Sequence, residues 1–116
     1  MTLEEAKSLK RNEIDQNTEY LIMNSNLTFD GNNFSMSIHA QINWLGIPNI
    51  PDNYFPINIK NKNNYLYSLT AQNKMPFFLN AVGLKNSYLQ SGNDLIIQVD
   101  ALTTVEEVLN FIDPRV

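Results

Sequence analysis

Cysteine is absent from this 116-residue chain, and histidine occurs once, at His39. Without thiols there is no disulfide, no thiolate nucleophile and no cysteine-built zinc cluster. With one imidazole there is no two-histidine metal site. Glycine is scarce and its four residues are placed singly. No glycine-rich loop can therefore cradle a phosphate, and no G-x-S-x-G turn presents a nucleophilic serine. Charge is scarce too, at 17% of residues against roughly 25% in an average domain. Eight Lys and Arg against twelve Asp and Glu leave a net charge of −4. Duplex binding draws most of its affinity from neutralised phosphates, so nucleic acid is not expected as a partner. No apolar run approaches the ~18 residues of a membrane span. The opening MTLEEAKSLK has carboxylates where a secretory signal has its apolar core. The expectation is a protein made in the cytoplasm, with no membrane partner, no metal and no cofactor.

What is plentiful is asparagine, with 18 residues, over a hydrophobic complement of 43%. That is enough for one modest core at this length, so a single domain spanning 1–116 is expected. Asn, Ser and Gln supply the solubility that Lys and Glu usually give, and A/T-rich coding alone would enrich asparagine. The N-x-[ST] matches at Asn26 and Asn33 are expected by chance in such a chain. A surface rich in amides and poor in ions can be buried in an assembly without stranding charge. Composition points to shape and contact, not chemistry.

Periodicity divides the chain into helices and hairpins. Thr2 and Glu5 form a capping box that opens a helix over 1–24. Its apolar positions (Leu3, Ala6, Leu9, Ile14, Leu21, Ile22) are sparse, so its first half is expected to bury little and to lean on a partner. Lys7, Lys10 and Arg11, interleaved with glutamates, read as a solvated helix face. Asp30-Gly31-Asn32-Asn33 is a tight turn between Leu27-Thr28-Phe29 and Phe34-Ser35-Met36. Ser37 then caps a short helix over 37–45, with Ile38, Ile42 and Leu45 on its expected core face and Gly46 at its C′ position. Three prolines stiffen the connector over 46–56. Phe55, Ile57 and Ile59 alternate with polar residues, as do Tyr65, Tyr67 and Leu69, around a Lys60–Asn64 turn. This is the clearest hairpin signal in the chain. A long helix is expected over 73–101 on the series Met75, Phe78, Val82, Leu89, Ile96 and Val99, with Gly83 and Gly92 as weak points. Overlapping boxes, Thr103 with Glu106 and Thr104 with Glu107, start a closing helix over 104–112. The fold class is α+β: an N-terminal helix, two short antiparallel hairpins packed against a long helix, and a short closing helix.

Candidate functional residues are few. The carboxylate pairs Asp30 with Asp52, or Asp94 with Asp100, are formally possible acid–base pairs. Nothing in the sequence sets their environments apart, and they read as solvated loop carboxylates. His39 has no second ligand or nucleophile beside it and reads as a surface side chain. No catalytic, cofactor-binding or metal-ligating residue is therefore expected. The candidate protein contacts are aromatic: Tyr54, Phe55, Tyr65 and Tyr67 cluster at one loop and hairpin, and tyrosine is favoured at interfaces. They could equally be cover for the sheet face. Trp44 lies off the Ile38–Ile42–Leu45 face, either packed on Ile47 and Pro48 or exposed as a fifth contact.

Three stretches taken in order, Phe34 through Gln41-Ile42, Tyr65 through Thr70, and Asp100 through Glu107, resemble a family of small domains of unknown function. Such domains come from tailed bacteriophages and prophages and are associated with tail-fibre proteins. The chain departs from that pattern in its three-proline loop and around Gly92. The resemblance implies a non-enzymatic structural or accessory component of the virion tail. Its partners would be tail-fibre or baseplate proteins, and itself where it self-associates. A tail-fibre assembly chaperone and a phage inhibitor of a host protein stand as the alternatives.

Overall fold

The computed structural model describes every residue from Met1 to Val116 and has the expected α+β composition. The chain divides into two compact units, Met1–Leu21 with Ser87–Val116, and Ile22–Asn86. The two long helices, α1 (Leu3–Met23) and α3 (Lys74–Asp100), each contribute to both.

In the first unit, α1 meets the C-terminal part of α3 and the short α4 (Val105–Leu109). Ala6 and Ile14 of α1 pack with Leu95, Val99 and Val108. The first half of α1 therefore packs on its own chain, a correction to the expectation that it buries little. The thin apolar stripe misleads because Lys7 and Lys10 are also buried, their stems taking part of the apolar contact. The Lys7 Nζ donates to the Asp100 carbonyl at 2.7 Å, capping the C-terminus of α3, and Lys10 meets Glu13 at 2.9 Å. Arg11 pairs with Asp100 at 2.8 Å. Lys7 and Arg11 tie α1 to α3, which overturns the expectation of a solvated face for them, while Lys10 and Glu13 form the expected pair of opposite charges three residues apart. The Thr2–Glu5 capping box forms as expected. At α4 only Thr104 accepts from a helix N–H, that of Glu107 at 3.1 Å. The Thr103 hydroxyl also turns to the Glu107 carboxylate, so no Thr103–Glu106 box exists. Hydroxyl donation, from Thr104 first, holds the Glu107 carboxyl below its ordinary range.

Residues after α4 close this unit with a buried polar knot. Arg115 is bound to Asp113 at 2.8 Å, to the Thr18 hydroxyl at 2.9 Å and to the Ser91 hydroxyl at 3.0 Å. Its donation to Asp113 holds that carboxyl below the usual range against the opposing effect of burial. Gly92 has its reason here. A Cβ at that position would stand 2.5 Å from the Thr18 Oγ1, so α1 and α3 can approach only where α3 has no side chain.

The second unit holds the hairpins. Strand β1 (Asn26–Phe29) pairs antiparallel with β2 (Asn32–Ser35), and Phe29 opposite Asn32 leaves a two-residue turn. Asp30 and Gly31 both take positive φ, 50° and 74°, the primed geometry that matches strand twist. Strand β3 (Ile57–Lys60) pairs with β4 (Leu66–Leu69), and Asn64 takes φ 66° in the turn. The hairpins remain two separate two-stranded sheets. They touch where the Lys62 N–H donates to the Asn33 carbonyl at 2.8 Å and the Asn61 amide donates to Asn32 at 3.0 Å.

Five aromatic rings make this unit's core, centred on the fully buried Phe77. Its ring meets those of Trp44, Phe34 and Phe29 edge-on at 5.1, 5.2 and 5.4 Å, and Tyr67 joins through Phe34 at 5.6 Å. Edge-to-face contacts of this kind contribute about 0.5–1.5 kcal/mol each beyond area burial. They also set the phase of α3. Its inward line runs Phe77, Ala81, Tyr88, Gly92, Leu95 and Val99, whereas Met75, Val82 and Leu89 of the expected stripe are exposed. Only Val99 of that stripe is buried; Phe78 and Ile96 are half-buried. The helix does run unbroken through Gly83 and Gly92, as expected, and Pro76 lies in its first turn, where a missing N–H costs no helix bond.

Helix α2 (Ile38–Gly46) is capped by the Ser37 hydroxyl, which accepts from the Ala40 N–H. Gly46 is its last residue with φ −79°, not a left-handed C′ glycine. The proline-rich connector is also less extended than expected, with 3₁₀ turns at Ile47–Asn49 and Asp52–Tyr54. Lys74 fastens it, reaching Asp52 at 2.7 Å and the Ile50 carbonyl at 2.9 Å.

Candidate interaction surface

The five aromatic contact candidates do not form one surface. Trp44 is 7% exposed and its Nε1 donates to the Ser35 carbonyl at 2.9 Å, so it belongs to the core. Its neighbours are Phe34 and Phe77, not the Ile47–Pro48 loop alone. Tyr67 is half-buried in the same cluster, and its hydroxyl donates to Asp30 at 2.8 Å. Burial first, then this carboxylate, pushes its phenol above the ordinary value of 10.0. Phe55 is half-buried under the Lys74 ammonium, 5.4 Å from the ring centre. Tyr54 and Tyr65 alone stand free, at 67% and 72% exposure, and Tyr65 precedes β4.

The surface that does form lies where the helical spacing predicts core. Ile38, Ile42 and Leu45 are 61%, 62% and 56% exposed, a stripe at i, i+4 and i+7 on the outer face of α2. The inner face carries Ala40 and Trp44 instead. Helix α2 is apolar on both sides and has no Asp, Glu, Lys or Arg in its nine residues. Leu45 continues across a cleft to Phe78 and Val82 of α3, with Lys85 at its edge. That cleft has free space of about 30 Å³, one water's share of liquid and far below the roughly 300–1,000 Å³ of a small-molecule pocket. Its lining is mostly apolar, with Gln41 and Lys85 as the polar members. A signal is present in the sequence. Apolar residues fall on two sides of the helix at once, and Trp44 has the larger volume to bury.

A second feature lies beside β3. A groove of about 510 Å³ lies along this strand, lined by β3 together with Ser35, Asn43, Trp44, Ile47 and Ile50. The Asn61 N–H bonds to Tyr65, which sets the ladder phase: Ile57 and Ile59 bond toward β4, while Asn58 and Lys60 point their backbone groups away. Lys62 continues that phase and reaches Asn33, but β2 and β3 then part without pairing.

No acid–base pair is assembled. Asp52 is held by Lys74, Asp100 by Arg11, Asp30 by Tyr67 and Asp94 by Gln90. His39 is exposed. No group of three or more His, Asp or Glu could hold a metal ion, and no helix is long and apolar enough to cross a membrane. No known family matches the chain, nor does any curated protein or solved structure.

Proposed function

We propose that this protein is a non-enzymatic component of a tailed-phage virion, docking one tail protein onto another at the fibre or baseplate. The exposed Ile38–Ile42–Leu45 stripe carries the docking part of this reading. Three aliphatic side chains on one short, uncharged helix keep apolar area in water for no benefit to the folded chain. Burying each against a partner is worth about 1.5–3 kcal/mol at most, less what already packs. No ion is stranded when such a face is covered. The phage assignment rests on the resemblance carried by residues 34–42, 65–70 and 100–107.

The test is quantitative mass spectrometry of purified particles from the source lysate, comparing the wild-type chain with Ile42→Arg. A fixed copy number that is lost in the variant supports the reading. Absence of the wild-type chain from particles, with abundance in the infected cell, overturns it.

A further inference from the structure

We infer that the groove along β3 takes an extended segment of a partner protein, added as a strand to the free edge of β3. That segment would carry apolar side chains at its inward positions and a carboxylate beside Lys60. The inference does not depend on the virion assignment and concerns a surface separate from the α2 stripe.

Three observations specify the occupant. The first is backbone: Asn58 and Lys60 each offer one N–H and one C=O away from β4, and no other group in the chain receives them. Only an extended segment presents a matching row of donors and acceptors, because a helix satisfies its own. The second is the lining. Ile57 and Ile59 are the half-buried residues of β3 and line the groove with Trp44, Ile47 and Ile50, so alternate residues of an added strand would meet apolar side chains. The third is charge. The unit Ile22–Asn86 holds four lysines against two aspartates. Both aspartates are engaged, Asp52 by Lys74 and Asp30 by Tyr67. Lys62 is bound to the Ser25 carbonyl and Asn26, which leaves Lys60 and Lys85 without a carboxylate, and of these two Lys60 lines the groove while Lys85 lies at the α2–α3 cleft. A second copy fits less well than an acidic strand. Antiparallel pairing of two β3 edges about Ile59 would set the two Lys60 side chains on one face as diagonal neighbours, about 7–8 Å apart.

The four-residue edge calls for a peptide of about six residues at ~3.4 Å each. The probe is an acetylated, amidated peptide alternating valine and glutamate, titrated to millimolar concentration into ¹⁵N-labelled full-length protein. Saturable binding is expected, with slowed amide exchange at Asn58 and Lys60. Lys60→Glu should weaken binding about ten-fold and turn the preference to a valine–lysine peptide. Asn58→Pro removes an outward N–H and no bond to β4, a position where an edge strand accepts proline. It should weaken binding by at least about ten-fold, corresponding to ~1.4 kcal/mol. A peptide N-methylated at alternate amides probes the same bonds from the ligand side and does not depend on that variant folding. No saturable binding, equal affinity for the N-methylated peptide, or shifts centred on Ile38, Ile42 and Leu45 would each overturn the inference. The last result would leave the docking role of α2 standing.

Discussion

The two glycines of α3 should respond to alanine with opposite signs. In a helix interior, Gly→Ala is worth about 0.8–1.0 kcal/mol from the backbone alone. At Gly83 a Cβ would meet nothing within 4 Å, so Gly83→Ala should realise that gain in full. At Gly92 the same atom would lie 2.5 Å from the Thr18 Oγ1 and 3.4 Å from the Arg115 Nη1. The threonine cannot simply rotate away. Its hydroxyl donates to the Ile14 carbonyl at 2.8 Å and accepts from Arg115 at 2.9 Å. Overpacking a filled site costs about 1–3 kcal/mol. Set against the helix gain, Gly92→Ala should lose up to ~2 kcal/mol, leaving the two variants about 1–3 kcal/mol apart. Urea unfolding followed by far-ultraviolet circular dichroism reads this difference. Thr18→Ala supplies the control: in that background Gly92→Ala should become neutral or stabilising, because the obstructing oxygen is gone. The loss of one Arg115 acceptor is common to both arms and cancels. Equal stabilisation by Gly83→Ala and Gly92→Ala in the wild-type background would refute the close approach of Thr18.

Arg115→Met should cost about 3–5 kcal/mol, because it leaves the Asp113 carboxylate buried without its partner, and adding Asp113→Asn should recover part of that loss. Since the Asp113 carboxyl is held below its ordinary value, its contribution is complete above that value and is lost as pH falls through the lower, folded one. Urea midpoints measured across the acid range should therefore decline more gently in Asp113→Asn than in wild type. The Tyr67 phenol is raised above 10.0, so its contribution is complete below 10.0 and is lost as pH rises through the folded value. Tyr67→Phe should remove that alkaline decline at a cost near neutrality of about 1 kcal/mol. Trp44, the single tryptophan, should emit as a buried indole, and Trp44→Phe should cost about 1–3 kcal/mol through the Ser35 carbonyl it leaves unpaired. Ile42→Gln should change stability by no more than about 0.5 kcal/mol; a larger loss in the isolated protein would show that the stripe is already covered.

Local signals in this chain are legible wherever one residue's chemistry has a single use. Asp30-Gly31 and Asn64 accept positive φ and mark both turns; Thr2, Ser37 and Thr104 cap three helices. Buried polar ties are illegible because they depend on partners distant in sequence. Lys7 and Asp100 lie 93 residues apart, and Arg115 and Thr18 lie 97 apart. Along α1 alone, a lysine is a solvated charge; opposite the C-terminus of α3 it is a cap. Gly92 is a flaw in an isolated helix, and only the facing helix shows why no side chain fits.

The orientation of helices is illegible for a different reason, and that failure bears on function. Helical spacing says that residues share a face, not which face turns inward. In α2 and in the first half of α3 the apolar residues occupy two faces. The aromatic volume decides between them: Trp44 and Phe77 fill the core, with Ala40 and Ala81 beside them where rings need room. The aliphatic series (Ile38, Ile42 and Leu45; Met75 and Val82) is then left outside. A helix whose only task is to cover a core needs one apolar face, and polar residues on the other keep it soluble. A second periodic apolar face on adjacent helices, meeting at the cleft of Leu45 and Val82, has no role inside this chain. On the docking role proposed above its use is contact with another chain, and the expectation follows that variants of Ile38, Ile42 and Leu45 fold normally while losing any partner bound there.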